Sequence, residues 1–153
     1  MAEIVIGLGS NLDSPREQLA RALERIAALD GLTILARSKL YDTEPIGPPQ
    51  PRYVNAAIKV SWHRSPIALL DCLLEVERSM GRVRDVRWGP RVIDLDLLWS
   101  SDGKFESDRL TLPHPELTRR SFALAPLLDV AAELGVEYAA ALAACGGPPR
   151  LSS

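Results

Sequence analysis

The chain has 153 residues, 46% of them hydrophobic and 25% charged, which is the balance of one water-soluble globular domain with a single core. A formal net charge of −2 excludes a protein built mainly to coat nucleic acid, and makes any local basic cluster more informative. Cys72 and Cys145 have neither metal-ligand nor redox spacing, the N-terminus lacks signal-peptide character, and no stretch approaches the roughly 18–20 apolar residues of a membrane span. A reduced, cytoplasmic domain covering residues 1–153 is expected, with Cys72 a buried thiol.

Glu3 to Leu8 is apolar and β-branched and predicts a first strand, broken at Gly7-Leu8-Gly9-Ser10-Asn11. Ser14-Pro15-Arg16-Glu17 predicts a helix start: Ser14 as N-cap, Pro15 at the first helical position and Glu17 closing a capping box. Leu19, Leu23, Ile26 and Ala27 continue at helical spacing until Asp30-Gly31. Leu32 to Tyr41 predicts a second strand, followed by a proline-rich loop over Asp42–Arg52. That loop is either a connector or a stiff presenter of backbone groups to a ligand.

Tyr53 to Trp62 alternates, with Val54, Ala56, Ile58 and Val60 on one face and Tyr53, Asn55, Ala57 and Lys59 on the other. The plain expectation for the second face is solvent. A Tyr–Asn pair there can also stack on and hydrogen-bond a flat heterocycle. Ser65-Pro66 repeats the capping signal, and a helix runs to Gly81 with Glu77 on or beside its apolar face. By itself Glu77 is expected at the surface.

Gly81 to Trp99 reads GRVRDVRWGPRVIDLDLLW and holds Arg82, Arg84, Arg87 and Arg91 around a Trp88-Gly89-Pro90 turn. Guanidinium groups hold phosphate bidentately and stay charged at any working pH. Val92 to Trp99 then predicts a strand that points Asp94 and Asp96 to one face. Carboxylates at i and i+2 lie about 6–7 Å apart at the backbone and can converge on one or two hard cations, magnesium above all. Anion and cation sites in tandem suit a nucleotide triphosphate and its metal. No GxxxxGK[ST] and no protein-kinase signature occurs.

Beyond this stretch, Ser101-Asp102-Gly103 predicts a turn and Leu110–Leu112 a short strand. Pro113-His114-Pro115 holds His114 in extended backbone near Arg119 and Arg120. Ser121 to Cys145 predicts one helix, and the Gly-Gly-Pro-Pro tail from about residue 146 is expected to fray.

The run RWGPRVIDLDLL resembles the signature of the 6-hydroxymethyl-7,8-dihydropterin pyrophosphokinase family. The likeness extends through GLGSNL (7–12), YDTEPIGPPQPRYVNAA (41–57) and LTLPHPELTRRSFALAPL (110–127), in order along the chain. It implies an α/β (α+β) fold, a ferredoxin-like three-layer α-β-α sandwich with a mainly antiparallel sheet. It also implies pyrophosphoryl transfer from ATP to the pterin hydroxymethyl, releasing AMP.

On that resemblance Asp94 and Asp96 correspond to ligands of two Mg2+ ions bridging the ATP phosphates. Arg82 and Arg91 correspond to the arginines that meet the β-phosphate and the attacking hydroxymethyl. Arg84, Arg87 and Trp88 belong to the loop over ATP, with Trp88 also facing the pterin. Tyr53 and Phe122 would sandwich the pterin, Asn55 would hydrogen-bond its edge, and Thr43, Pro45 and Ile46 would complete that pocket. His114 and Arg120 correspond to phosphate contacts, and Thr111 and Glu77 to the nucleotide side. Leu74 stands where many relatives carry a glutamine, and Glu44 also departs from many of them. ATP and the pterin are the expected partners of a monomer, with no nucleic acid or membrane. An RNA-binding module conflicts with the net negative charge and 5% aromatic content, while a metal-dependent phosphohydrolase would release phosphate without pterin.

Overall fold

A computed structural model describes residues 1–11, 14–43, 52–81 and 93–152. Strand β1 (Ala2–Ser10) extends past the expected break at Gly7 because both of its edges are paired. Strand β4 (Tyr53–Trp62) runs antiparallel along it from Ala2↔Trp62 to Ser10↔Val54. Strand β5 (Asp94–Ser100) pairs on the other side from Ile4↔Ser100 to Gly9↔Asp94. Two ladders hold extended a glycine-rich segment that local preference alone would let turn.

The register of β1 and β5 shifts between Val5↔Trp99 and Ile6↔Leu97, so Leu98 is the extra residue of a bulge. Its carbonyl is taken up by the backbone N–H of His114 at 2.9 Å. That bond anchors the Pro113–Pro115 segment to β5.

The strand expected over Leu32–Tyr41 divides into β2 (Leu32–Arg37) and β3 (Tyr41–Thr43). Both pair with β4, at different heights. At the break, Ser38 donates its N–H to the Ala57 carbonyl and accepts the Ala57 N–H on its hydroxyl, replacing a stretch of ladder. The sheet order is β5-β1-β4-β3-β8, with β2 also on β4, where β8 is Arg150–Leu151. Two short strands, β6 (Phe105–Glu106) and β7 (Thr111–Leu112), form a separate ribbon.

Helices cover both faces. Helix α1 (Pro15–Ala27) and helix α2 (Pro66–Ser79) pack on Ile4, Ile6, Leu8, Val54, Ile58, Val60, Leu95 and Leu97. Helix α3 (Ser121–Val130) and helix α4 (Gly135–Ala144) pack on Val5, Ala57 and Leu98. The expected three-layer α-β-α sandwich is the architecture found, and every strand pairing among the described residues is antiparallel. The face of β4 carrying Asn55 and Ala57 was expected in solvent; it is buried, with Ala57 at 0% exposure under α3.

The two helix starts differ. Ser65 caps α2 as its sequence predicts, its hydroxyl accepting from Ala68 N–H at 3.1 Å. Ser14 does not close a capping box: at φ 59° it is left-handed and its side chain makes no capping bond. Only its carbonyl serves α1, accepting from Gln18 N–H at 3.1 Å.

The helix expected over Ser121–Cys145 is interrupted at Ala131, whose backbone leaves the helical region (φ −142°, ψ 64°), and resumes as α4 after a 3-10 turn over Ala132–Leu134. Cys72 is half-buried at the margin of the α1–α2 core rather than inside it. The 146–152 segment, expected to fray, contributes β8 instead. Arg150 and Leu151 pair with Asp42 and Tyr41, Ser152 N–H donates to the Leu40 carbonyl at 2.9 Å, and the Arg16 guanidinium donates to the Ser152 hydroxyl at 3.0 Å. No helix among the described residues is long and apolar enough to cross a membrane.

Candidate active site

The register of the three central strands brings distant residues into rows. Asn55, Gly9 and Asp94 form one row, and Ala57, Gly7 and Asp96 the next. Paired residues share a face, so both carboxylates and Asn55 lie on the side that carries α3 and α4. Neighbouring strands are about 4.8 Å apart, which puts the backbones of Asn55 and Asp94 on the order of 10 Å from each other. Between them β1 presents only glycine. Asp94 is half-buried and Asp96 exposed.

Glu77 is not the surface residue expected from its position alone. It is 3% exposed, and its carboxylate accepts the backbone N–H of Leu95 at 2.8 Å. Leu95 lies between the two aspartates on β5, which is the edge strand of the sheet among the described residues. Helix α2 therefore fixes the strand that carries Asp94 and Asp96. Glu77→Ala is expected to destabilise the fold by about 1–3 kcal/mol, because a buried N–H loses its acceptor, while Glu77→Gln retains most of that stability. Denaturant unfolding of the two variants checks this, and equal loss in both would show that the amide bond is not the cause.

His114 is anchored at both ends. Its backbone N–H donates to Leu98, and its Nδ1 accepts the N–H of Glu116 at 3.0 Å. With Nδ1 occupied as an acceptor, the neutral ring carries its proton on Nε2 and can donate from there. Burial pushes the imidazole below its ordinary range; Asp96 and Glu116 pull it up and Arg120 pulls it down. At neutral pH it is therefore an uncharged donor beside Asp96. The Arg120 guanidinium lies 5.7 Å from the centroid of the Phe122 ring, in the first turn of α3. The chain order of β5, the His114 segment and α3 thus gathers a carboxylate pair, a neutral donor, a cation and an aromatic ring.

On the other side of the row, Asn55 is 8% exposed and its Nδ2 donates to Thr43 Oγ1 at 2.6 Å. Thr43 ends β3 directly before the proline-rich loop, and Tyr53, half-buried, opens β4 directly after it. Thr111 stands in the β6–β7 ribbon opposite Glu106, just ahead of the His114 segment. Pro45, Ile46, Arg82, Arg84, Arg87, Trp88 and Arg91, together with Glu44, lie outside the described residues. The sequence puts Gly9 in GLGSNL and in a turn expected to end the first strand; it lies inside β1 instead, and only the register reveals that it separates Asn55 from Asp94.

The antiparallel α-β-α sandwich thus carries Asn55, Asp94 and Asp96 on one sheet face, with His114, Arg120 and Phe122 contributed by the segments that follow β5. Residues 5–132 match the family model of 7,8-dihydro-6-hydroxymethylpterin-pyrophosphokinase (HPPK). The chain belongs to this family. It is 42% identical over 135 residues to the 2-amino-4-hydroxy-6-hydroxymethyldihydropteridine pyrophosphokinase of Haemophilus influenzae, covering 88% of this chain and 84% of that one. The enzyme of the same name from Pseudomonas aeruginosa is 42% identical over 147 residues, covering 93% and 91%. In fold the chain resembles the crystal structure of Plasmodium falciparum HPPK-DHPS with pteroate, with a TM-score of 0.62 at 13% identity. That likeness covers 84% of this chain and 40% of the longer one. The protein is accordingly a pyrophosphokinase that transfers pyrophosphate to hydroxymethyldihydropterin in folate biosynthesis.

Proposed function

We propose that the donor is ATP, that it acts with magnesium, and that AMP is the second product. The observation that supports this reading is the row Asn55–Gly9–Asp94, with Asp96 in the next row on the same face of the sheet. The acceptor hydroxyl oxygen attacks the β-phosphorus in line. A bond forms between them, the bond from that phosphorus to the oxygen retained by AMP breaks, and the hydroxyl proton is released.

Asp94 and Asp96 fit magnesium as a donor set: both are hard oxygen ligands, on the same strand face. Magnesium takes one or two carboxylates and fills its remaining positions with phosphate oxygens and water. When bound, the metal would neutralise charge on the transferring phosphates. The protein's own groups position and hold. Asn55 and Thr43 orient the pterin edge, and Tyr53 and Phe122 stack on its faces. His114 donates from Nε2 to a phosphate oxygen and Arg120 pairs with phosphate charge. Arg82 and Arg91 are assigned by their sequence match to the β-phosphate and the hydroxymethyl.

Pterin-dependent AMP release is the deciding measurement. AMP is expected only with ATP, pterin and magnesium together, and its loss with chelator is expected to be reversed by added magnesium. Phosphate release without pterin would instead make the carboxylate pair the centre of a hydrolase. Asn55→Ala is expected to raise the KM for pterin by roughly 10–100-fold, because a buried polar edge loses its partner, while the KM for ATP stays put. Initial-rate kinetics with each substrate varied in turn checks the split.

A further inference from the structure

Among the strand residues of the site, Gly9 is distinguished by what a side chain would strike. A Cβ built on its backbone lies 2.6 Å from Asn55 Oδ1, then 3.7 Å from Asn55 Cγ and 3.7 Å from Tyr53 Cδ1. The first distance is far inside van der Waals contact; the other two are ordinary. Gly9 is not among the glycines with positive φ, so its conformation is open to any L residue. The obstacle is space alone.

That space cannot be made by the backbone. Gly9 is in register with Asn55 on one side and Asp94 on the other, so a shift of β1 would disturb both ladders. Asn55 would have to turn away, and its amide is held by the 2.6 Å bond to Thr43 Oγ1. Gly7 shares the strand and the face yet differs in consequence: its added Cβ would meet Leu98 Cδ1 at 3.1 Å, the far end of a flexible side chain. That contact asks Leu98 to give by a few tenths of an ångström and touches neither Asn55 nor Tyr53.

We infer that Gly9 is a positioning residue for acceptor recognition: its missing side chain is the condition for Asn55 to keep its amide aimed along the pterin edge. The inference rests on the reading that Asn55 helps to seat the acceptor. It separates the two halves of the site, because the nearest atoms belong to the acceptor side and none to Asp94.

A double-mutant cycle tests it, with pterin and ATP as the varied substrates. Gly9→Ala is expected to raise the KM for pterin by about 10–100-fold, the scale of losing the Asn55 contact itself, without moving the KM for ATP. In an Asn55→Ala background the same change is expected to add less than about threefold, since the atom it collides with is gone. Gly7→Ala is expected to have little effect on either constant. An unchanged pterin KM in Gly9→Ala, or the same factor in both backgrounds, would overturn the inference.

If Asn55→Ala leaves the pterin KM unchanged, the seat reading fails, and the positioning role falls with it. The collision itself is then read separately: the Asn55 side-chain amide resonance must shift in Gly9→Ala and stay in Gly7→Ala. Should Gly9→Ala not fold, recovery of folding in the Gly9→Ala, Asn55→Ala double variant supports the collision. A double variant that also fails to fold counts against it.

Discussion

Asp96→Ala is expected to lower magnesium-dependent AMP formation by at least roughly 10³-fold while the protein stays folded. The carboxylate is exposed, so truncating it leaves no cavity and no buried charge. It also removes one of two like charges carried on the same face of β5, which relieves repulsion in the metal-free protein. Thermal unfolding should therefore shift little in the absence of nucleotide. The loss should appear in turnover and in the magnesium concentration needed for half-maximal rate. Near-normal turnover would refute the assignment of Asp96 as a metal ligand. Loss of fold would instead place Asp96 among the structural residues, which its exposure argues against.

Arg82→Ala is the second large effect, expected to cut turnover by about 10³-fold with a much smaller change in ATP affinity, on the scale of an arginine finger. The described residues on either side of residues 82–92 are anchored. Helix α2 closes on Met80, 8% exposed, whose N–H reaches the carbonyls of Val76 and Glu77. Gly81 then turns the chain at φ 85°, a conformation that side chains rarely adopt. At the other end Ile93 is fully buried in the α1–α2 core, directly before Asp94. Glu77 ties the same helix end to Leu95. In sequence, Arg82 directly follows the helix end that Glu77 ties to β5, and residues 82–92 lead directly into Ile93 and Asp94. A charge used only in the transition state affects kcat, whereas a ground-state contact affects binding. Equilibrium binding of ATP alongside single-turnover rates separates these. A loss confined to ATP affinity would put Arg82 in the ground state.

Much of the fold was legible because its signals are local. β4 has the predicted bounds, Tyr53–Trp62, since a strict alternation marks a strand whatever it packs against. Helix α2 likewise starts where Ser65-Pro66 says it should. Errors arose where long-range pairing decides. Leu32–Tyr41 contains nothing that marks the break at Ser38, because that break exists to serve Ala57 on another strand. The capping box at Ser14 satisfied every residue rule and still did not form, for Ser14 adopts a left-handed backbone there. In the site, the carboxylate pair could be read from a two-residue period, and its likeness to a known signature supplied the reaction.

Burial is harder to read than type. Glu77 looked like a surface carboxylate since no local pattern shows that a strand edge eighteen residues on will need an acceptor. Asn55 looked solvent-facing because alternation reveals which side chains share a face and not whether a second layer covers that face. α3 covers it, and α3 comes from the last third of the chain.

By itself, then, the amino-acid order determined the element types, the family and the residue kinds that can hold phosphate, metal and a flat ring. Those depend on periodicity, capping and side-chain chemistry, all of which act over a few residues. Only the tertiary structure decided that Glu77 supports Leu95, that His114 is a neutral Nε2 donor beside Asp96, and that Gly9 stands between Asn55 and Asp94. Each of these follows from strand register or burial. Both arise from pairing and packing among segments distant in sequence, whose relative placement no local rule specifies.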